Sequence, residues 1–223
     1  GAGSADEAPG EHGAAHFLEH VLFKRTRTST GRRLSERIDL LGGDLNAYTG
    51  REHTCYHVHV PADGAAEAVT VLTDVVANGL CHPDDVEVER DVVLDELAGR
   101  ADDPEDLACE LVTTAVLGSD PLARPVIGTE ESVRALDADA LSAFHRRILR
   151  SGEVVVAAAG RISHDELVRW IAEGPLPDAL DGEVAEPGET AGEWSSSPVV
   201  VGADEDSEQV MVALARRTPA LAH

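Results

Sequence analysis

Residues 13–26 read Gly13-Ala14-Ala15-His16-Phe17-Leu18-Glu19-His20-Val21-Leu22-Phe23-Lys24-Arg25-Thr26. Phe17, Leu18, Val21 and Leu22 recur at helical spacing, so Ala14–Phe23 is expected to form a helix with an apolar face. On that helix His16 and His20 lie four residues apart and project from nearly the same face, one turn above the other. Glu19, three residues after His16, leans toward the same face. Two imidazoles converging on one point are what a tetrahedral zinc site takes as its first two ligands. A carboxylate beside them, left free to take a proton from a metal-bound water, suits peptide hydrolysis. H-x-x-E-H is the inverted form of the H-E-x-x-H signature. In a chain with ten histidines the same residues also fit a solvated helix face, so the rest of the sequence has to decide.

A catalytic zinc site needs a third protein ligand and an open fourth position. The segment opened by Pro83 and running to about Arg100, stopped by Asp102-Asp103-Pro104, is expected to be a long helix. Glu89 and Glu96 are two turns apart on one of its faces, next to an apolar stripe of Val86, Val93 and Leu97. A carboxylate beside that stripe can reach inward, although exposed helix acids are the commoner arrangement.

The other elements follow from periodicity and punctuation. Gly31–Leu41 reads as a helix closed by Gly42-Gly43. Asp44–Thr49 and Thr54–Val60 read as a hairpin, with Thr54, Tyr56, Val58 and Val60 on one face. Helices are expected over Ala65–Ala77, Glu105–Leu117 and Asp137–Leu149. Glu153–Ala159 reads as a buried strand, and Ser163 caps a helix through Ile171. Pro175–Pro198 is rich in Pro, Gly, Ser and acids and reads as an exposed linker. Val199–Val201 and Gln209–Ala215 read as strands opening another unit. The mix indicates an α+β fold with a largely antiparallel β-sheet flanked by helices.

Composition bounds the function. The chain has 223 residues, 43% hydrophobic, which supports a real core, but only 3% aromatic, so that core must be aliphatic. A formal net charge of −24 argues against nucleic acid or anionic membrane as a partner, and leaves cationic or unfolded peptides open. Cys55, Cys81 and Cys109 form no C-x-x-C pair, so a reducing compartment and a cytoplasmic location are expected. No apolar run approaches the roughly 20 residues that cross a bilayer. The chain begins Gly-Ala-Gly-Ser without an initiator Met, and both ends look cut.

The helix of residues 13–26 closely resembles the active-site helix of the pitrilysin–insulysin (inverzincin) zinc metallopeptidases, a family that includes the β subunit of mitochondrial processing peptidase. That family carries its third ligand as a Glu about 76 residues beyond the second His, on an E-x-E-R-x-V-V-x-x-E helix; here that residue is Glu96. Glu89 matches a second helix glutamate that supports the site. Gly42–Thr49, followed by Glu52, Thr54 and Tyr56, resembles the family's substrate-binding edge strand, and Gly128–Val133 resembles a further segment. The resemblance covers most of residues 1 to about 172. Departures are Arg25 for a customary Gly, Arg124-Pro125 for Gly-His, and Ile148-Leu149 near a usual Tyr-x-Pro.

The resemblance implies an N-terminal zinc peptidase domain over 1–174 with its first strands missing, a linker over 175–198, and the opening of a second, similar domain over 199–223. It implies one Zn²⁺ per chain held by His16, His20 and Glu96, with Glu19 as general base and Glu89 assisting. Asn46 and Ala47 would bind an extended peptide as an added strand. The function implied is zinc-dependent endopeptidase activity on peptides or unfolded presequences, together with the second half of the same protein and a possible homodimeric or non-catalytic partner. The other reading is a non-catalytic peptide-binding or scaffold subunit. Two weaker constellations remain: a soft-metal site from Cys55, His57 and His59 with His53, and a calcium turn at Asp204-Glu205-Asp206, which lacks the loop spacing.

Overall fold

Helix α1 (Ala14–Leu22) lies at the centre of the molecule because six of its nine side chains are apolar and buried. Ala14, Phe17, Leu18, Val21 and Leu22 are each at most 1% exposed. This computed structural model describes residues 2–151, 154–181, 199–203 and 210–216. Around α1 are α2 (Gly31–Asp39), the hairpin β1 (Asp44–Thr49) and β2 (Thr54–His59), α3 (Ala65–Asn78), α4 (Pro83–Ala101) and α5 (Pro104–Leu117). The short α6 (Glu130–Ala135), α7 (Ala138–Ser151), α8 (His164–Ala172) and α9 (Leu176–Leu180) complete the order.

The core is aliphatic, as the composition requires. Val71 and Val75 of α3, Val86 and Val93 of α4, Val133 of α6, and Leu141 and Phe144 of α7 join the apolar residues of α1 in one cluster. Burying each such side chain contributes about 1.5–3 kcal/mol. The sheet is antiparallel, with Asp44 opposite His59 and Thr49 opposite Thr54. Tyr56, Val58 and Val60 turn to the core, and His57 and His59 turn out. That is the alternation expected of a hairpin with one wet face.

Helix ends use the chemistry their sequences offer. Pro83 and Pro104 open α4 and α5 at positions where the missing N–H costs nothing. The Asp103 side chain accepts from the Glu105 N–H, and Ser163 and Glu166 form a capping box for α8. Leu176 of α9 is buried, and α9 packs on α3, α7 and α8. Residues 182–198, the larger part of the expected linker, lie outside the described residues.

The expected strand over Glu153–Ala159 is not formed in its described part, residues 154–159. Val155 is 81% exposed, and the two strands of the described sheet pair only with each other. A run of β-branched residues has the right composition for a strand, but a strand exists only where a neighbour takes its N–H and C=O groups. The same holds for Val199–Val201 and for the described part of Gln209–Ala215: neither is a strand, and Val200 is 97% exposed. Asp204-Glu205-Asp206 lies outside the described residues.

One contact fixes where α1 begins. Gly13 (φ +89°) and Gly128 (φ +82°) press backbone to backbone. A Cβ at Gly13 would lie 2.7 Å from the Ile127 carbonyl oxygen, and one at Gly128 would lie 2.8 Å from that of His12. Gly128 is followed directly by the capping box of α6, where Thr129 accepts from the Ser132 N–H. Gly13→Ala combines left-handed strain of about 1–2 kcal/mol with this collision. A loss of at least about 2 kcal/mol in urea unfolding is the expected outcome, whereas Gly10→Ala (open space around its Cβ position) should lose only the strain.

Candidate metal centre

His16 and His20 project from α1, and α4 crosses α1 so that Glu96 faces both rings. Glu96 Oε2 is 3.6 Å from Nε2 of His16 and 3.6 Å from Nε2 of His20. The ring centroids are 4.8 Å apart. Among the described residues this is the one group of three metal-competent side chains, with ligand atoms all within 4.8 Å of one another. Ligands about 2.0–2.1 Å from a tetrahedral zinc stand roughly 3.3–3.4 Å apart, and the two distances from Glu96 come close to that.

The state of His16 fits a cation at that point. Burial, aided by the neighbouring His20 and Arg100, lowers the His16 pKa to about 4, so its imidazole is neutral at neutral pH. His20 Nδ1 is 3.3 Å from Glu89 Oε2, so that nitrogen carries a hydrogen toward the carboxylate. Its Nε2 faces the Glu96 carboxylate at 3.6 Å. A cation held between the two Nε2 atoms and the carboxylate would attract all three at once. The donor set, two imidazole nitrogens and one carboxylate, suits zinc.

Glu89 is 4% exposed and joins two groups: Oε2 faces His20, and Oε1 is 2.7 Å from Lys24 Nζ. Holding the outer nitrogen of a ligating histidine is the usual task of a carboxylate behind a metal site. Glu89 therefore touches His20 and positions it. The neighbouring Arg90 lies 5.5 Å over the Phe17 ring and donates to the Val133 carbonyl, tying α4 to both α1 and α6.

Glu19 leans from α1 toward β1, where the Thr49 hydroxyl donates to its Oε2. Burial holds its carboxyl above the usual range, and the Thr49 bond pulls it partly back. Tyr56, partly buried on β2, has its phenol pushed up chiefly by burial and further by Glu19. On β1, Asn46 is exposed and its Oδ1 accepts the Ala47 N–H at 2.8 Å. With β1 paired only to β2 among the described residues, its other edge presents backbone groups outward. The residues Cys55, His57 and His59, with His53, do not converge: Tyr48 packs 5.7 Å from His53 and 6.4 Å from His57, and no second metal-competent group occurs among the described residues.

Sequence reasoning missed Glu7. It is 4% exposed, and its two carboxylate oxygens accept the N–H groups of Gly13 (3.0 Å) and Ala15 (2.9 Å) at the start of α1. A carboxylate there satisfies free donors and complements the helix dipole. Arg124 Nη1 donates to the Glu7 carbonyl at 2.7 Å. No local pattern marks Glu7, since it caps the helix from six residues upstream of Gly13. The spacing of an ordinary capping box does not reach that far.

Burial raises the Glu7 pKa to about 7, against the pull of the Ala15 and Gly13 N–H groups. A carboxyl whose folded pKa lies above its unfolded value of 4.5 binds more protons in the folded state between those limits. Its contribution is complete below about pH 4.5 and is lost as pH rises through about 7, at most on the order of 3 kcal/mol. Urea midpoints measured from pH 5 to 7.5 should fall for the unaltered protein and fall less for Glu7→Gln.

Comparison with known proteins accords with the geometry. Residues 1–130 match the family described as Insulinase (Peptidase family M16). A zinc protease of Mycobacterium leprae, itself uncharacterised, is 46% identical over 220 residues, which are 98% of this chain and 49% of that protein. Pitrilysin superimposes with a TM-score of 0.57 at 25% identity, covering 66% of this chain and 16% of pitrilysin. An M16 peptidase inactive domain from Pseudomonas fluorescens gives a TM-score of 0.72 at 20% identity, covering 82% of this chain and 45% of that one, a likeness of fold. The chain thus spans about half the length of the relative it matches at 46% identity. With His16, Glu19, His20 and Glu96 gathered inside the matched residues, the chain belongs to the insulinase family of peptidases, family M16.

Proposed function

We propose that this chain is the metal-bearing half of a zinc-dependent endopeptidase that cuts peptides or unfolded segments. The observation that carries the reading is the convergence of His16 Nε2, His20 Nε2 and Glu96 Oε2, with Glu89 fixing the orientation of His20. These three residues would hold one Zn²⁺, which when bound supplies Lewis acidity to the attacking water and the scissile carbonyl.

Glu19 takes the proton from that water at its carboxylate and delivers it to the leaving amine. Its raised pKa suits both halves of that task, because a carboxylate too weakly basic would not accept the proton. Thr49 keeps one oxygen occupied and so leaves the other for the transfer. The outer edge of β1 takes the substrate as an added strand, with the Ala47 N–H passing from Asn46 Oδ1 to a substrate carbonyl. Only an extended chain can pair in this way, which favours unfolded substrates over folded ones.

Glu19, half-buried and hydrogen-bonded beside the three candidate ligands, supports catalysis over a scaffold role, since a scaffold has no use for a partly shielded proton acceptor. Residues 1–174 then form the peptidase domain, and residues 199–223 open a second domain reached through the acidic stretch before it. The second half of the same protein completes the substrate chamber.

The complete protein tests this reading. Zinc content should be one per chain, and His16→Ala or Glu96→Ala should abolish it. Glu19→Gln should keep the zinc and lose peptide cleavage by at least about 10²-fold; full activity in that variant overturns the general-base role. Glu89→Gln should weaken zinc by about 10–100-fold, as read by competition with a chromogenic chelator.

A further inference from the structure

A second site lies away from the metal centre, in a cavity of about 340 Å³ between the C-terminal end of α3, the last turns of α7, and α9. Arg27, from the turn after α1, and Arg146 and Arg150, from α7, line it together. That is unexpected in a chain with 42 acidic and 18 basic residues. Arg25, Arg37, Arg90, Arg100 and Arg134 all pair with carboxylates. Arg27, Arg146 and Arg150 have no ion-pair partner among the described residues.

The other lining groups leave this positive charge in place. Asp178 of α9 is the one acid in the wall, so the site carries about two net positive charges. His145 donates from Nε2 to the Val76 carbonyl at 2.8 Å and is held neutral by burial, so it adds structure and not charge. The Cys81 thiol, also kept neutral by burial, contacts the Ser142 hydroxyl at the wall. Three guanidinium groups facing one cavity are repelled by each other and stabilised by an oxyanion that accepts from two or more of them.

We propose that this cavity binds a phosphate group, free or as a small phosphomonoester. Two net positive charges match the charge of about −1.5 to −2 that such a group carries at neutral pH. The volume leaves room for a small organic moiety beyond the phosphate. None of His16, Glu19, His20, Glu89 and Glu96 lines the cavity, so the site stands independently of the peptidase reading.

The test is phosphate-dependent thermal stability of the complete protein, with sodium chloride at matched ionic strength as the control. Inorganic phosphate should raise Tm saturably, and chloride should not. Arg146→Gln and Arg150→Gln, both at exposed positions that folding tolerates, should each weaken the apparent Kd by at least tenfold. Equal titrations with inorganic phosphate and O-phosphoserine assign a monoester site, while a response to inorganic phosphate alone assigns the free anion. A response no larger than that to chloride, or one unchanged in both variants, overturns the proposal.

Discussion

Two imidazoles and a carboxylate from different helices meet at one point only if α1 can neither roll nor slide against α4. Burial supplies the first restraint: with Phe17, Leu18, Val21 and Leu22 all enclosed, any rotation of α1 that moves a histidine also exposes core. Polar contacts supply the second. Glu7 holds the first turn through the Gly13 and Ala15 N–H groups, and the Gly13–Gly128 contact sets its height. At the other end Lys24 bonds to Glu89, which already faces His20. The two candidate histidines therefore occupy the one stripe of a helix that is otherwise locked, and the geometry is prepared before any metal arrives.

The positions of α1, α2, the hairpin, α3, α4, α5, α7 and α8 are legible in the sequence because each carries its own local signal. Periodic apolar residues lie between Pro, Gly, Ser or Asp at the ends, and the structure moves those ends by only a residue or two. Glu96 is legible for a different reason: it shares with Glu89 a place beside the apolar stripe of α4, and its distance along the chain from His20 repeats a family pattern. What was not legible depends on distant partners. Glu153–Ala159 has the composition of a strand, but composition does not supply the neighbour. Glu7 looks like any acid in a polar opening until the fold brings it beneath α1.

The departures from the family pattern have structural uses here. Arg25, in place of a customary Gly, pairs with Asp85 on α4 at 2.8 Å. Arg124 donates to the Glu7 carbonyl and so braces the residue that anchors α1. Both replacements add a cation that reaches an element already engaged with the active helix. They keep the ligand positions as they are and change how those positions are supported.

The valine-rich segments at 154–156 and 199–201 bear on how the chain behaves as a colloid. β-Branched and exposed, they offer apolar, strand-prone surface to any neighbouring molecule, the usual beginning of edge-to-edge association. A net charge of −24 opposes that approach through mutual repulsion between molecules. This repulsion is screened over about 8 Å at physiological ionic strength and over shorter distances in stronger salt. Dispersion of this chain in solution is thus a balance between sticky edges and charge, and added salt tilts it toward self-association.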